Sequence, residues 1–78
     1  MKKQTIEMKR RTIGNRLNQL RKENKLTMEQ AALKIMTNRA TWCNWENDKS
    51  YPSLPMLMDI CESFDVSSDW LLGLGGNV

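Results

Sequence analysis

The stretch NRATWCNWEN, residues 38–47, combines side chains that hydrogen-bond with side chains that pack. On a helix that turns by about 100° per residue, Trp42 and Trp45 fall together on one side. The opposite side and its flank hold small and polar residues, namely Arg39, Ala40, Cys43, Asn44 and Asn47. Stacking of the indoles on nucleic-acid bases is one interpretation, but the helical spacing favours packing in a core. We therefore predict that the tryptophans anchor a helix whose polar face is left to contact a partner.

Other kinds of site find little support in the residue types. The chain has no histidine, and its two cysteines, Cys43 and Cys61, lack CxxC spacing. This argues against zinc and against a Cys/His nucleophile, and free thiols in a reducing compartment are the simplest interpretation. No inward-facing carboxylate pair is recognisable. We expect no enzyme activity, no metal and no cofactor.

Charge and hydropathy bear on location and domain organisation. No apolar run of about 18 residues and no signal-peptide pattern occur, so we expect a cytoplasmic protein without a membrane span. The net charge of +3 is small, but basic residues gather at the N-terminus: Lys2, Lys3, Lys9, Arg10 and Arg11. Residues 1–12 are interpreted as a basic arm or an extension of helix one, residues 13–73 as the folded domain and residues 74–78 as a flexible tail. The arm is either solvated or in contact with phosphates.

Apolar spacing and capping residues predict five helices and no strand. Helix one covers roughly Ile13 to Asn24, with an earlier start near Thr5 as an alternative. Thr27 and Gln30 form a capping box at the start of helix two, and Asn38 caps helix three. Only Met36 and Thr37 separate these two helices. A connection this short requires the sharp turn of a helix-turn-helix.

The second half of the chain predicts two further helices. Ser53 caps helix four, and Ser67 caps a short helix five in which Val66 packs against Leu71 with Trp70 alongside. The apolar spacing of helix four predicts a buried face made of Leu54, Leu57, Met58, Cys61 and Phe64. The fold class is therefore all-α.

Three segments, LRKENKLTMEQAALKI, NWENDKSYPSL and DVSSDWLLG, occur in an order and spacing that closely resemble the Cro/cI-type (XRE) helix-turn-helix domains of phage and bacterial repressors. The resemblance covers roughly Ile13 to Gly73. It implies a compact five-helix, lambda-repressor-like DNA-binding domain. In that family the third helix enters the major groove. The protein usually binds as a dimer on an operator with two-fold related half-sites.

The resemblance also implies residue roles. It pairs Arg21 of helix one with Glu46, which follows the second tryptophan. It implies contacts with base edges by Arg39, Ala40, Cys43 and Asn44. It implies contacts with DNA phosphates by Asn47, Lys49, Thr27 and Met28. These roles are chemically reasonable, because an arginine can donate two bonds to guanine, an asparagine can read adenine and an alanine can touch a thymine methyl.

Three positions depart from the family pattern. Met36 stands where the turn normally has glycine, so the turn is either strained or rebuilt. Met28 stands where a glutamine usually touches phosphate, and that contact should pass to a backbone N–H. Trp42 replaces a smaller aliphatic residue, which predicts a shift of helix three.

The resulting prediction is a sequence-specific, double-stranded DNA-binding transcriptional regulator of phage or bacterial type, acting as a repressor and a homodimer. The alternative is a protein-interaction module of the same fold, similar to an antitoxin or an anti-repressor, with weak or no DNA binding. The small net charge and the six methionines leave this alternative open.

Overall fold

The computed structural model describes residues 12–74, which contain helices joined by short turns and no strand. The helices of this range are α1 Ile13–Glu23, α2 Met28–Lys34, α3 Arg39–Glu46, α4 Leu54–Phe64 and α5 Ser68–Leu72. The all-α prediction is confirmed for this part of the chain. The predicted arm, apart from Thr12, and the glycine-rich end from residue 75 onward lie outside the described residues.

A side chain at each helix start accepts a hydrogen bond from the first turn, so the helix boundaries follow from local chemistry. The caps at Thr27, Asn38, Ser53 and Ser67 are confirmed, and Thr27 and Gln30 exchange both bonds of a capping box. Thr12 caps α1 in an extended conformation, with φ −66° and ψ 160°. Helix α1 therefore begins at Ile13, and the alternative of one continuous helix from near Thr5 is wrong.

Helices α1, α2 and α3 all end in the same way, with a left-handed residue other than glycine. These residues are Lys25, Met36 and Asp48, with φ values of 58°, 62° and 59°. At Met36, two backbone bonds close the helix end: Met36 N–H to Leu33 O at 3.0 Å and Thr37 N–H to Ala32 O at 2.9 Å. This pattern is a Schellman motif, which usually has glycine at the left-handed position. The turn is thus retained, with methionine in a strained conformation.

The core lies where α1, α2 and α3 meet α4 and α5. Trp42 is 0% exposed, and its ring centroid lies 5.8 Å from that of Trp45 and 6.0 Å from that of Phe64. Ala31 and Ala32 of α2 are also buried, and their small side chains let α2 approach its neighbours closely. The predicted inward orientation of both tryptophans is confirmed, so neither indole is available for base stacking.

The predicted buried face of α4 is partly wrong. Leu54 is 70% exposed and Met58 is 58% exposed, whereas Ile60, which was not in the predicted face, is fully buried beside Leu57 and Phe64. Helix α4 is apolar around much of its circumference, so spacing alone allows two adjacent stripes. Cys61 lies at the border of the core and is half-buried. The misassigned residues form an exposed apolar surface.

Candidate nucleic-acid interface

Helix α3 presents two contrasting faces. Its inner face, Trp42 and Trp45, is buried, whereas Arg39, Ala40 and Asn44 are exposed and Cys43 is half-buried. The residues expected to read bases therefore share one accessible side of a single helix. A guanidinium and a carboxamide next to small side chains suit hydrogen bonding to a flat polar surface. Base contact by these four residues stays a prediction.

The Glu46 carboxylate joins α3 to α1. Arg21 contacts it with two nitrogens, Nε to Oε2 at 2.6 Å and Nη2 to Oε1 at 3.2 Å. Asn18 Nδ2 donates to Oε1 at 2.9 Å, and the indole N–H of Trp42 donates to Oε2. The Glu46 side chain is only 3% exposed. The predicted pair of Arg21 and Glu46 is thus present and mostly buried.

Arg21 also fixes the turn that leads into α2. Its Nη1 donates to the Leu26 carbonyl at 3.0 Å, while its other nitrogens hold Glu46. A guanidinium presents its donors in a rigid fork, so one side chain can orient two segments at once. Arg21 therefore links α1, the start of α2 and the end of α3.

The environment of this ion pair shifts the pKa values of both Glu46 and Arg21. Burial by itself raises the pKa of Glu46, but the hydrogen bonds from Arg21, Asn18 and Trp42 and the charge of Arg21 together lower it below its usual value. The hydrogen bond with Glu46 raises the pKa of Arg21, against a smaller opposing effect of burial. Both groups are consequently held in their charged forms.

The residues after α3 form another turn with a left-handed residue, Asp48. Lys49 is exposed, and its N–H donates to Asn44 O at 2.9 Å. Asn47 is exposed as well, but its side-chain amide donates to the Cys43 carbonyl at 2.9 Å. The same amide nitrogen also donates to Cys43 Sγ at 3.4 Å, so Asn47 caps its own helix. The predicted phosphate contacts of Asn47 and Lys49 are not tested by this geometry.

Asp48 connects the end of α3 to the start of α1, and sequence reasoning missed this connection. Its Oδ2 accepts from the Thr12 hydroxyl at 2.9 Å, and its Oδ1 accepts from the Gly14 N–H at 3.1 Å. Burial and the nearby Asp48 carboxylate raise the pKa of Tyr51 on the same turn. A carboxylate at a helix N-terminus is favourable because it meets free N–H groups and the positive end of the dipole.

Gly14 is required by the same junction. A Cβ at this position would lie 2.6 Å from the carbonyl oxygens of both Trp45 and Glu46. The backbones of α1 and α3 therefore touch at Gly14. Sequence reasoning missed Gly14, although glycine inside a helix is normally unfavourable and this cost could have indicated a close approach.

The start of α2 offers the two remaining predicted contacts. The exposed Thr27 hydroxyl accepts the Gln30 N–H at 3.1 Å and keeps its own hydrogen for a ligand. Met28 is half-buried, and its side chain packs against the core. Any phosphate contact at Met28 would therefore use its backbone N–H, because the first N–H groups of a helix have no partner within it.

Two further features concern only residues 12–74. No group of three or more His, Cys, Asp or Glu residues in this range is arranged to hold a metal ion, and Cys43 and Cys61 are free thiols. None of the helices described is long and apolar enough to cross a membrane.

Comparison with known proteins identifies the family. A family model described as a helix-turn-helix domain matches residues 14–76. The chain belongs to this helix-turn-helix family. The solved structure of the P22 c2 repressor in complex with a synthetic operator superposes with a TM-score of 0.76 at 21% identity, covering 81% of this chain and 96% of that chain. This match confirms the predicted lambda-repressor-like, Cro/cI-type fold of the helix-turn-helix domain.

Two curated relatives are similar in sequence to the helix-turn-helix domain. The uncharacterized HTH-type transcriptional regulator YobD of Bacillus subtilis is 44% identical over 59 residues, which cover 76% of this chain and 53% of YobD. The HTH-type transcriptional activator BcrR of Enterococcus faecalis is 39% identical over 59 residues, 76% of this chain and 29% of BcrR. The match therefore spans about half of the length of YobD and under a third of the length of BcrR.

Proposed function

We propose that the chain is a sequence-specific, double-stranded DNA-binding transcriptional regulator. The observation that carries this proposal is the exposed face of α3, where Arg39, Ala40 and Asn44 lie together. The buried Glu46 network holds this face rigidly against α1. A helix of about this size fits the major groove, and its first residues are the ones that reach base edges. Membership in the helix-turn-helix family supports the same reading.

We propose repression as the regulatory effect. Occupying a promoter excludes other proteins from it, and this needs no contact beyond those with DNA. A reporter gene behind a selected binding site tests the sign. Expression should fall when the chain is produced, whereas a rise would assign the chain to activation.

We further propose that the chain binds DNA as a homodimer through the exposed apolar surface of α4 and α5. An open groove there is lined mostly by apolar side chains, namely Leu54, Leu57, Met58, Cys61 and Leu72, together with Glu62 and Ser68. A single short helix contacts too few base pairs to be selective, so a second copy related by two-fold symmetry doubles the site. The two half-sites would then be about 34 Å apart or a multiple of that distance.

The dimer is tested by sedimentation on a selected duplex. Met58→Asp should reduce the bound stoichiometry from two copies to one, because it replaces an apolar contact by a second carboxylate beside that of Glu62. Leu33→Asp is the matched control, because Leu33 is equally exposed on α2 and outside the groove. One parent copy per duplex at saturation would overturn the dimer.

DNA binding itself is tested by selection from random duplexes, followed by fluorescence anisotropy at several salt concentrations. A regulator of this kind should prefer its selected site over a scrambled one by about 10³-fold or more. If the chain prefers no duplex, the protein-interaction alternative replaces the proposal.

A further inference from the structure

Asp48 is placed differently from the residues that close α1 and α2 in the same left-handed conformation. Lys25 and Met36, which follow those helices with φ values of 58° and 62°, are exposed. Asp48 follows α3 with φ 59° but is half-buried. Positive φ is disfavoured for residues other than glycine, although aspartate and asparagine tolerate it better than most. The burial of this side chain points to a role beyond closing the helix.

The backbone of the turn after α3 is closed without the Asp48 side chain. Asp48 N–H donates to Trp45 O at 3.1 Å. Lys49 N–H donates to Asn44 O at 2.9 Å, which completes a Schellman motif. These bonds fix the shape of the turn, and both acceptors lie in α3. The position of the turn relative to α1 depends on other contacts.

The Asp48 carboxylate supplies such contacts. Its Oδ2 accepts from the Thr12 hydroxyl at 2.9 Å, and its Oδ1 accepts from the Gly14 N–H at 3.1 Å. A Cβ on Gly14 would lie 2.8 Å from the same Oδ1, so glycine at this position leaves room for the carboxylate. Two hydrogen bonds therefore tie the turn after α3 to the N-terminus of α1.

The charge of Asp48 has the unfavourable sign for its place in the domain. Asp48 lies between Asn47 and Lys49, which are both exposed and both predicted to contact phosphate. A carboxylate beside a phosphate repels it, although the positive end of the α1 dipole offsets part of this charge. The site thus combines a repulsive charge with a fixed position of the turn.

We propose that Asp48 is a positioning residue for DNA binding, which holds the turn after α3 against α1 so that Lys49 meets a phosphate beside the site of α3. This inference rests on the proposed DNA binding and on the phosphate contact predicted for Lys49. A lysine on a turn that is free to move must be ordered on binding, and that ordering costs affinity. The two bonds to α1 remove part of this cost before DNA arrives.

Two substitutions that remove the same charge separate positioning from electrostatics. Asp48→Asn keeps an oxygen for the Gly14 N–H and an amide that can donate to the Thr12 hydroxyl, and asparagine tolerates the left-handed backbone. Asp48→Gly removes both bonds and also suits that backbone. Each is made in the full chain, once with Lys49 and once with Lys49→Ala. Affinity for a selected and a scrambled duplex is measured by fluorescence anisotropy between about 50 and 200 mM salt.

The two Asp48 variants should differ only while Lys49 is present. Asp48→Gly should then bind both duplexes several-fold more weakly than Asp48→Asn. Its slope of log affinity against log salt should be lower by about one, the value for one phosphate contact, so its affinity should fall about threefold less over this salt range. With Lys49→Ala the two variants should bind equally, because no lysine is left to position. The ratio between selected and scrambled duplex should stay unchanged, because a phosphate contact carries no sequence information.

Folding of the variants is checked in parallel. Circular dichroism during thermal unfolding must show that every variant is folded at the assay temperature. If Asp48→Gly is unfolded, Thr12→Val and Thr12→Ser replace the two Asp48 variants, because valine lacks the hydroxyl that donates to Asp48 and serine keeps it. Valine should then weaken binding relative to serine only when Lys49 is present.

Four results would overturn the inference, and they can be told apart. Equal affinities of Asp48→Gly and Asp48→Asn with Lys49 present would show that the two bonds to α1 do not affect binding. An equal deficit of Asp48→Gly with and without Lys49 would assign the deficit to the domain as a whole. Unchanged binding by Lys49→Ala would remove the contact that Asp48 is proposed to position and would leave the proposed function standing. A parent chain that binds no duplex would remove both proposals.

Discussion

The indole N–H of Trp42 donates to Glu46 one turn further along the same helix, and that carboxylate is also bound by Arg21. Trp42 therefore contributes more than apolar volume: its ring fills the core, and its N–H stabilises a buried carboxylate by a hydrogen bond. The substitution of a large residue for the family's smaller aliphatic one is accommodated by burial of the ring and by this bond. The predicted shift of α3 remains a prediction.

Replacing Arg21 by alanine should destabilise the domain strongly. It leaves Glu46 buried with only Asn18 and Trp42 as donors, and loss of one partner of a buried pair costs about 3–5 kcal/mol. Thermal unfolding should show a fall of more than about 10 °C. Lys22→Ala, at the exposed neighbouring position, should change stability by less than about 0.5 kcal/mol. Equal melting of Arg21→Ala and the parent would show that the pair contributes nothing.

Acid should destabilise the domain through Glu46. A carboxyl whose pKa is lower in the folded state binds its proton more weakly there, so its stabilisation is complete above the unfolded value of 4.5. That stabilisation is lost as pH falls below 4.5 and through the folded pKa. Urea unfolding between pH 6 and 3 should show this loss, and Glu46→Gln should flatten the curve in that range. An equally steep curve in Glu46→Gln would assign the acid sensitivity to other carboxyls.

Gly14→Ala should lower stability although alanine favours helices by about 1 kcal/mol. The added Cβ meets two backbone oxygens at 2.6 Å, and neither can move without separating α1 from α3. A net loss of about 1–3 kcal/mol is expected in chemical denaturation. Gln19→Ala, on the exposed side of α1, is the control and should be nearly neutral. A gain in Gly14→Ala would mean that the helices are not in contact there.

Met36→Gly should stabilise the domain. Met36 is 92% exposed at φ 62°, so little packing is lost and about 1 kcal/mol of backbone strain is relieved. Leu33→Gly is the comparison: that exposed residue lies inside α2, and glycine there should cost about 1 kcal/mol. The two melting temperatures should move in opposite directions. A lower melting temperature in both variants would show that Met36 is not strained in the turn.

Alanine substitutions of Arg39 and Lys49 should affect DNA affinity in different ways if the chain binds DNA as proposed. Arg39→Ala should lose about 1–3 kcal/mol on the selected duplex and relax preference at one base pair. Lys49→Ala should weaken all duplexes alike and lower the salt slope by about one. Anisotropy on selected and scrambled duplexes separates these outcomes. Equal losses on both duplexes in Arg39→Ala would make Arg39 a phosphate contact and pass base reading to Asn44.

The predictable parts of this fold are those encoded locally. A cap such as Asn38 acts within one turn, and the spacing of Trp42 and Trp45 leaves one inward direction, so both were correct from the sequence. The face of α4 was partly wrong because its rotation is set by α5 and the core, and several apolar residues compete for burial. The bond between Thr12 and Asp48 joins residues 36 positions apart, and no periodicity signals it.

The contacts of the candidate site were likewise predictable only in part. The pairing of Arg21 with Glu46 followed from a family resemblance and is present. The bond from Trp42 to Glu46 had no precedent in that resemblance, because the tryptophan itself is the departure. Contacts with a partner stay predictions, since they depend on a second molecule.

The burial of Trp42 and Trp45 also gives the domain a built-in optical reporter. Two of the three tryptophans of the chain lie in α3, and the third, Trp70, lies in α5 beneath the Arg16 guanidinium. Replacing Trp70 by phenylalanine would leave tryptophan emission from α3 alone. The intrinsic fluorescence would then follow the surroundings of two indoles on a single helix without any attached label, so unfolding or rearrangement of the core at α3 could be observed directly.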